Sequence, residues 1–288
     1  GASTVVMPYG GKTQLTPIQT MVAKLPVLEG KCDTVTMMSY GMDPYLTSWS
    51  PYHGAVYAVV SSVAKIVAAG GDFSKVRLTF QEYFRRLGED AARWGEPMAA
   101  LLGAYDVQMK LGLPSIGGKD SMSGTFDKID VPPTLCSFAV DVAKIQDVVT
   151  PELKKAGNKL VWLRAPKDQY DLPDYAGIMD QYEKLHNDIQ SGKVVSAYAL
   201  DRHGIAAAVS KMAFGNKLGV KLEETLTAEQ LFENAMGDMV VEIIPSGLEE
   251  VTNSEYNCAV IGTVTEEAAF VYGSQVITIE EALEAWSK

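Results

Sequence analysis

The stretch SPYHGAVYAVVSSVAKIVAAGGD, residues 50–72, contains the most apolar part of the chain and predicts its central helix. Ser50 is a suitable N-cap and Pro51 fits the first helical position, while Gly70 and Gly71 supply the stop. Between them, valine and isoleucine recur at helical spacing. The most apolar part of the stretch, residues 54–71, is interrupted by two serines and a lysine and is shorter than the ~20 apolar residues of a membrane span, so we interpret it as a buried helix.

Strand-like and helix-like runs alternate on both sides of this helix, which is typical of an α/β (α+β) protein. The first half predicts strands over residues 34–40, 76–80 and 135–142 and a second helix over 98–111. The second half predicts strands over 159–164, 194–198, 239–244, 259–264 and 269–272, helices over 178–189, 204–214 and 228–234, an acidic loop after 214 and a terminal helix ending near 286. A charged, proline-bearing segment between the halves predicts two domains, 1–145 and 146–288.

The composition excludes several classes of protein. The 288 residues are 47% hydrophobic and 21% charged, as in a globular protein. With 25 Lys and Arg against 36 Asp and Glu, the net charge of −11 disfavours nucleic acid, because phosphates would be repelled. Cys32, Cys136 and Cys258 lie far apart without CxxC spacing, so we interpret them as core thiols in a reducing compartment. The amino-terminal sequence resembles no secretory signal, so we expect a cytoplasmic protein without a membrane partner; a start without Met suggests an excised segment.

The densest polar and glycine cluster is IGGKDSMSG, residues 116–124, which we predict to be a loop. Paired glycines let a ligand approach the backbone, the lysine supplies a mobile positive charge, and the aspartate is a ligand type for divalent cations. The cluster is not a P-loop, because GxxxxGK[ST] requires Gly at position 113 and Ser or Thr at position 120. Since Gly, Asp and Ser also dominate solvated turns, the residues alone leave both a ligand site and a turn open.

A second candidate is ALDRHG, residues 199–204, placed between a predicted strand and a predicted helix, where free N–H groups can bind an anion. Asp201 and His203 are equally suited to capping that helix, and capping is the interpretation that the residues favour. His53, at the start of the long helix, is a further candidate donor to a phosphate. Without a nucleophile elbow or a metal-ligand pattern, the residues predict only a two-domain protein that binds an anionic ligand.

The string GGKDSMSG, residues 117–124, resembles the second synthetase repeat of long-form phosphoribosylformylglycinamidine synthase. Four further segments carry the resemblance in the same order: 50–72, LTFQEYF at 78–84, VPPTLCSFAV at 131–140 and SAYALDRHGIAAAVSKMAFGNKLGV at 196–220. The resemblance extends from about residue 34 to residue 286. It implies a two-domain fold like that of aminoimidazole ribonucleotide synthetase, with a mixed-sheet amino-terminal domain that pairs with a sister domain and an α/β carboxy-terminal domain.

The resemblance also implies a reaction. The family converts formylglycinamide ribonucleotide to its amidine: ATP phosphorylates the amide oxygen, and glutamine-derived ammonia then displaces phosphate, leaving ADP. Positioned cations and donors around transferring phosphoryl oxygens suit such chemistry. The implied assignments are nucleotide binding at Gly117, Gly118 and Lys119, and substrate binding at Asp120, Ser121 and Ser123. Asp120 is also the nearest carboxylate for a metal, since Lys119 stands where short-form relatives carry a metal-binding Asn.

Three positions depart from the family pattern. Ser61 and Lys65 stand where many relatives carry a Glu and an Asn that hold magnesium for an auxiliary nucleotide. Ala199 replaces a carboxylate of the DRSDGG string, in which Asp201 remains. Because magnesium requires hard oxygen ligands, these departures imply a vestigial auxiliary site, with Lys65 supplying the charge of the lost cation.

The chain does not show the first synthetase repeat or the glutaminase of the parent enzyme, which are therefore its expected partners. ATP and magnesium are cofactors of that parent, and we expect none bound tightly by this fragment. We expect no catalytic residue in it and no turnover by the chain alone. A homodimer through the sheet edge left without its sister repeat is also expected, because exposed edges are templates for association. The alternative is a non-catalytic repeat that pairs with the catalytic repeat and seats the glutaminase.

Overall fold

The computed structural model describes residues 2–253 and 257–288. Its first half is built around five longer strands and two long helices. The strands are β1 (Tyr9–Gly10), β2 (Thr16–Pro17), β3 (Thr20–Lys24), β4 (Thr34–Gly41), β5 (Arg77–Tyr83), β6 (Ser115–Ser121), β7 (Thr125–Phe126), β8 (Ile129–Asp130) and β9 (Thr134–Lys144), and the helices are α1 (Pro44–Trp49), α2 (Pro51–Ala68) and α3 (Ala91–Leu111).

The main sheet of the first half has the strand order β3-β4-β9-β5-β6. All neighbours are antiparallel except β5 and β6, which run parallel. Alternate residues of β4 and β9, such as Met37 and Ala139, are fully buried beneath the helices. The opposite face presents Met38, Tyr40 and Val142, which are 42%, 56% and 50% exposed. The sheet therefore has one covered face and one open, largely apolar face.

The second half contains a seven-stranded mixed sheet in the order β11-β13-β10-β14-β12-β15-β16. Its strands are β10 (Lys159–Leu163), β11 (Val194–Ala199), β12 (Gly219–Leu222), β13 (Met239–Ile243), β14 (Cys258–Thr265), β15 (Ala269–Tyr272) and β16 (Gln275–Thr278). Its helices are α4 (Tyr175–Gln190), α5 (Gly204–Phe214), α6 (Ala228–Phe232), α7 (Leu248–Thr252) and α8 (Ile279–Trp286). The amino-terminal segment reaches across to α5, where the Thr16 hydroxyl donates to the Lys211 carbonyl at 2.6 Å.

Helix α2 joins the two halves through one hydrophobic core. Val60 and Val63 of α2 belong to the same buried cluster as Val161 of β10 and Tyr182 of α4. The Tyr182 hydroxyl also donates to the carbonyl of Val60 at 3.4 Å. The division of the chain at residues 145 and 146 remains a prediction.

The end signals of α2 are confirmed. The Ser50 side chain accepts from the His53 N–H, Pro51 opens the helix, and Gly70 follows its end with φ of +97°. Helix α3, by contrast, starts seven residues before the predicted position, at Ala91. Asp90 caps it by accepting from the Ala92 N–H at 2.9 Å, and Pro97 is accommodated inside the helix.

Three further predictions are wrong. Residues 116–121 of the cluster predicted to be a loop lie in strand β6, and the acidic loop after α5 contains strand β12. The three cysteines are free and only partly buried, so none is a fully buried core thiol, although Cys258 packs against the core. Partial burial raises the pKa of Cys136 to about 11. Among the described residues, no helix has the length and apolar character required to cross a bilayer.

Candidate functional site

The GGKDS part of the glycine cluster lies on β6, an edge strand that pairs only with β5 in the main sheet. The parallel register sets Gly117 beside Thr79, Gly118 beside Phe80 and Asp120 beside Glu82. Residues 115–120 are exposed, and Ser121 is partly buried. An edge strand leaves one row of backbone N–H and C=O groups without a sheet partner. The motif therefore offers backbone N–H donors to a ligand from a strand, where the sequence predicted a loop.

The two glycines of the motif differ in their surroundings. A Cβ atom at Gly118 would lie 2.8 Å from the Phe80 carbonyl oxygen, so Gly118 is needed for close approach of β6 to β5. At Gly117 a Cβ atom would meet nothing within 4 Å. The space over Gly117 is consequently open to a ligand, whereas Gly118 serves the sheet.

The polar side chains of the motif are held loosely. The Lys119 ammonium donates to the carbonyl of its neighbour Asp120 at 3.2 Å. The Ser121 and Ser123 hydroxyls lie 3.1 Å apart and share a hydrogen bond. Behind them, the Phe84 N–H donates to the Ser121 carbonyl and the Gly124 N–H donates to the Phe84 carbonyl, at 2.8 and 2.9 Å. The backbone around the serines is thus fixed while the hydroxyls remain accessible.

Glu82 adds a carboxylate that the sequence analysis did not single out. It stands opposite Asp120 on β5, and burial, followed by the charge of Asp120, raises its pKa. Two carboxylates supply only part of the six oxygen ligands of magnesium, which takes the others from water and substrate phosphates. Over residues 2–253 and 257–288, no group of three or more His, Cys, Asp or Glu side chains is arranged to hold a metal ion. The side chains at Asp120 do not by themselves form a magnesium site.

Lys65 lies at the centre of the second candidate site. Its ammonium donates to the Tyr40 carbonyl at 2.7 Å and sits 4.6 Å from the centre of the Tyr40 ring. Burial lowers the pKa of Lys65 to about 8, although the charge of Asp201 opposes this effect. Ser61, one turn earlier on α2, is buried. The structure therefore brings Lys65 and Asp201, which are far apart in the sequence, into electrostatic contact.

Asp201 is tied to residues of its own segment. It accepts from the His203 N–H at 2.8 Å and lies 3.6 Å from the Lys211 ammonium. Burial raises the pKa of Asp201, but the His203 N–H and the charge of Lys211 outweigh burial and hold that pKa below its ordinary value. In the described part of the chain no side chain makes a capping hydrogen bond to α5, so the predicted capping by Asp201 and His203 is wrong. The Asp201 carboxylate instead accepts from the N–H of His203, the residue that precedes the first residue of α5.

Ala199 is covered by Gln19, a residue that the sequence analysis missed. The Gln19 side chain accepts from the Ala199 N–H and donates to the Ala199 carbonyl, both at 2.8 Å. A cavity of about 10 Å³ lined by Gln19, Thr20 and Lys65 has room for about one water molecule. Lys65 is the member of the predicted set Ser61, Lys65, Ala199 and Asp201 that lines this cavity, and the charge of Asp201 acts on it. An ammonium beside a single carboxylate is a set of groups that does not fit magnesium. No local signal marks Gln19 or Tyr40, because each comes from a distant segment.

His53 does not join either candidate site. Its Nδ1 lies 2.8 Å from the Ser50 hydroxyl and its Nε2 lies 3.1 Å from the Tyr170 carbonyl oxygen. Both ring nitrogens thus have partners within the chain, and His53 links the start of α2 to the second half.

Comparison with known proteins supports the resemblance found in the sequence. No protein-family model matches the chain. The phosphoribosylformylglycinamidine synthase subunit PurL of Thermoplasma acidophilum is 23% identical over 290 aligned positions, which cover 90% of this chain and 36% of that protein. The chain spans less than half the length of the curated relatives it matches.

Solved structures show the same fold. The PurLQS structure from Thermotoga maritima matches with a TM-score of 0.70 and 16% identity, covering 95% of this chain and 46% of that chain. T. maritima PurL complexed with FGAR matches with a TM-score of 0.69 and 15% identity, covering 86% of this chain and 45% of that one. The predicted aminoimidazole ribonucleotide synthetase-like, mixed α/β fold is confirmed, as is the resemblance to a PurL-type synthetase repeat.

Proposed function

We propose that this chain is one synthetase half of a phosphoribosylformylglycinamidine synthase, and that strand β6 forms one wall of its composite site. The observation that carries the proposal is the open backbone of the GGKDS motif on an edge strand. A PurL to which the chain is similar has been solved with FGAR, and the same protein with ATP. The proposed reaction joins ammonia to formylglycinamide ribonucleotide with loss of the amide oxygen as phosphate.

In this proposal the residues of β6 bind and orient, and none performs catalysis. The backbone at Gly117 and Gly118 and the ammonium of Lys119 receive the phosphates of the nucleotide. Asp120, Ser121 and Ser123 receive the ribonucleotide, the two hydroxyls donating to its oxygens. Because phosphoryl transfer depends mainly on positioning and on stabilising negative charge, donors of this kind suit the chemistry. ATP and magnesium are cofactors of the whole enzyme, and no step is assigned here to magnesium.

The second site supports a non-catalytic role for this half. We propose that the position formed by Ser61, Lys65, Ala199 and Asp201 is a vestigial auxiliary nucleotide site. The Lys65 ammonium replaces the lost cation, and the Gln19 amide fills the position beside Ala199. A structural repeat that pairs with a catalytic sister would keep its fold through such substitutions. Both roles hold together when β6 contributes to the shared site and the position around Lys65 no longer binds a nucleotide.

The sequence predicts pairing through the sheet edge, and the open face of the first sheet is a second surface available for this pairing. Met38, Tyr40 and Val142 project from it, and we propose that it packs against a sister synthetase repeat or, without one, against a second copy of this chain. We propose a glutaminase as the second partner of this chain. We also propose that the enzyme is cytoplasmic. The chain alone is proposed to be inactive, because half of the composite site lies in the sister repeat.

Calorimetric titration with formylglycinamide ribonucleotide and with Mg-ATP tests the β6 assignment. Gly117→Ala places a methyl group in open space, so it should leave stability unchanged while weakening ligand binding at least about tenfold. Gly95→Ala on α3 is the matched control, since a Cβ there also meets nothing within 4 Å. Equal binding by wild type, Gly117→Ala and Gly95→Ala would show that the motif serves only the sheet.

A further inference from the structure

Helix α3 carries an unusual apolar surface on its outward side. Its inward residues Ala100, Ala104 and Val107 are buried against the core, and a Cβ at Gly103 would lie 2.3 Å from the Tyr52 carbonyl oxygen of α2. The packing of α3 on α2 is therefore complete without the outward residues. Six large apolar side chains are nevertheless exposed by 46% to 63%: Trp94, Met98, Leu101, Leu102, Tyr105 and Met109, here called the α3 stripe.

The α3 stripe is continuous. At 100° per residue, its six members fall within an arc of about 100° on the helix surface, the width by which a helix usually faces a core. Since a large side chain has on the order of 200 Å² of surface, the stripe presents roughly 650 Å². The largest apolar patch on a typical monomer is about 300–600 Å², and a standard interface takes about 800 Å² from each partner. The stripe therefore has nearly the area that a stable dimer requires.

The charged residues of α3 indicate what kind of partner fits. Arg93 donates to the Arg86 carbonyl at 2.8 Å, Glu96 pairs with Arg85 at 2.6 Å, and the Asp106 carboxylate accepts from the Tyr52 hydroxyl at 3.2 Å. Among the charged residues of the helix, Lys110 alone is in the exposed class. The outward side of α3 thus carries almost no charge that would select a charged partner, and it calls for another apolar face.

The order of residues along α3 matches a second copy of itself. If two α3 helices lie antiparallel about a twofold axis between positions 101 and 102, each residue faces the one that mirrors it about that point. Trp94 then faces Met109 of the other copy, Met98 faces Tyr105, and Leu101 faces Leu102, so every member of the stripe meets another member. A twofold interface must be self-complementary in this way. The spacing 94, 98, 101, 105 is also the heptad spacing of a left-handed helix pair.

We propose that the α3 stripe is a homodimer interface in which two copies of this chain pair their α3 helices antiparallel. This interface is separate from the open sheet face, because α3 lies on the covered side of that sheet. It does not depend on the proposed function. A chain that associates through both the α3 stripe and the open sheet face forms tetramers or larger assemblies. A substitution that blocks one of these surfaces leaves association through the other intact.

Two double variants test the register of the helix pair in the 288-residue chain. Leu101→Glu plus Leu102→Glu sets like charges opposite each other across the axis. Leu101→Lys plus Leu102→Glu removes the same leucines but sets each introduced lysine opposite an introduced glutamate. Both are combined with Met38→Glu, which places a charge on the open sheet face, so that association through α3 is measured alone. All three positions are exposed, and circular dichroism verifies the fold.

Sedimentation equilibrium provides the readout. We expect Met38→Glu alone to form a dimer, the like-charged variant to raise the dimer dissociation constant at least about a hundredfold, and the opposite-charged variant to recover at least about tenfold of that loss. A monomeric Met38→Glu protein would overturn the proposal and leave the stripe to another domain of a longer protein. Equal dissociation constants for the two double variants would overturn the antiparallel register.

Discussion

Replacing Lys65 by methionine should stabilise the protein at neutral pH. The ammonium is held in a largely buried position, which lowers its pKa from 10.5 to about 8. A difference of this size corresponds to about 3 kcal/mol of unfavourable free energy for the charged form. Because the ammonium keeps part of its hydration and donates to the Tyr40 carbonyl, we expect about half of this, ~1.5 kcal/mol, as the gain for Lys65→Met.

The pH dependence identifies the cause of this gain. With a folded-state pKa below the unfolded one, the unfolded chain binds more protons between pH 8 and pH 10.5, so the wild-type protein gains stability as pH rises through that window. Below pH 8 the cost of the buried charge is present in full. The advantage of Lys65→Met should therefore be largest at pH 7 and vanish near pH 10.5.

Urea unfolding followed by circular dichroism at several pH values measures this difference. Lys221→Met removes an exposed lysine and serves as the control; its difference from wild type should not change with pH. A Lys65→Met protein that is less stable at pH 7, or whose advantage is the same at pH 7 and pH 10.5, would refute the reasoning. The contacts of Lys65 would then outweigh the cost of burying its charge.

Three other substitutions follow from the structure, each measured by urea unfolding. Gln19→Ala should cost about 2 kcal/mol, because it leaves the buried N–H and C=O of Ala199 without partners; a cost under ~0.5 kcal/mol would show that water replaces the amide. Gly103→Ala should destabilise by about 1–3 kcal/mol through contact with the Tyr52 carbonyl, whereas Gly95→Ala on the same helix should stabilise by up to ~1 kcal/mol; equal effects would contradict the packing of α3 on α2. Glu242→Leu should cost at least about 3 kcal/mol, because the buried Glu242 carboxylate accepts from the N–H groups of Lys154 and Lys155 and from the Asn158 amide; a stable variant would contradict this network.

The position of α2 was predicted well from the sequence because several independent features of the stretch all indicate a helix. Its caps, its valine spacing and its stop all mark a helix, and the structure buries it between two sheets. The GGKDS motif was predicted as a loop because Gly, Asp and Ser dominate turns. In the folded chain, pairing with β5 stabilises a strand conformation that this composition alone disfavours. Gly118 permits β6 to lie close to β5.

The Lys65 position was predicted only in part. The resemblance to the family singled out Ser61, Lys65, Ala199 and Asp201, and the structure brings Lys65 and Asp201 into electrostatic contact. Tyr40 and Gln19 complete that position from other segments, and no periodicity or spacing links them to it. Contacts between distant segments depend on the tertiary fold, which local patterns do not encode.

The central claim is that the backbone at Gly117 and Gly118 is a ligand site. Its most direct test is an amide NMR titration of the 288-residue chain with formylglycinamide ribonucleotide and, separately, with Mg-ATP. Because this half supplies only one wall, we expect weak binding, saturating near or above about 1 mM. The signals of Gly117, Gly118 and Ser121 should shift in wild type, and those of Gly118 and Ser121 should shift much less in Gly117→Ala at the same ligand concentration. Absence of shifts at these residues for both ligands, or the same shifts in Gly117→Ala, would contradict the claim.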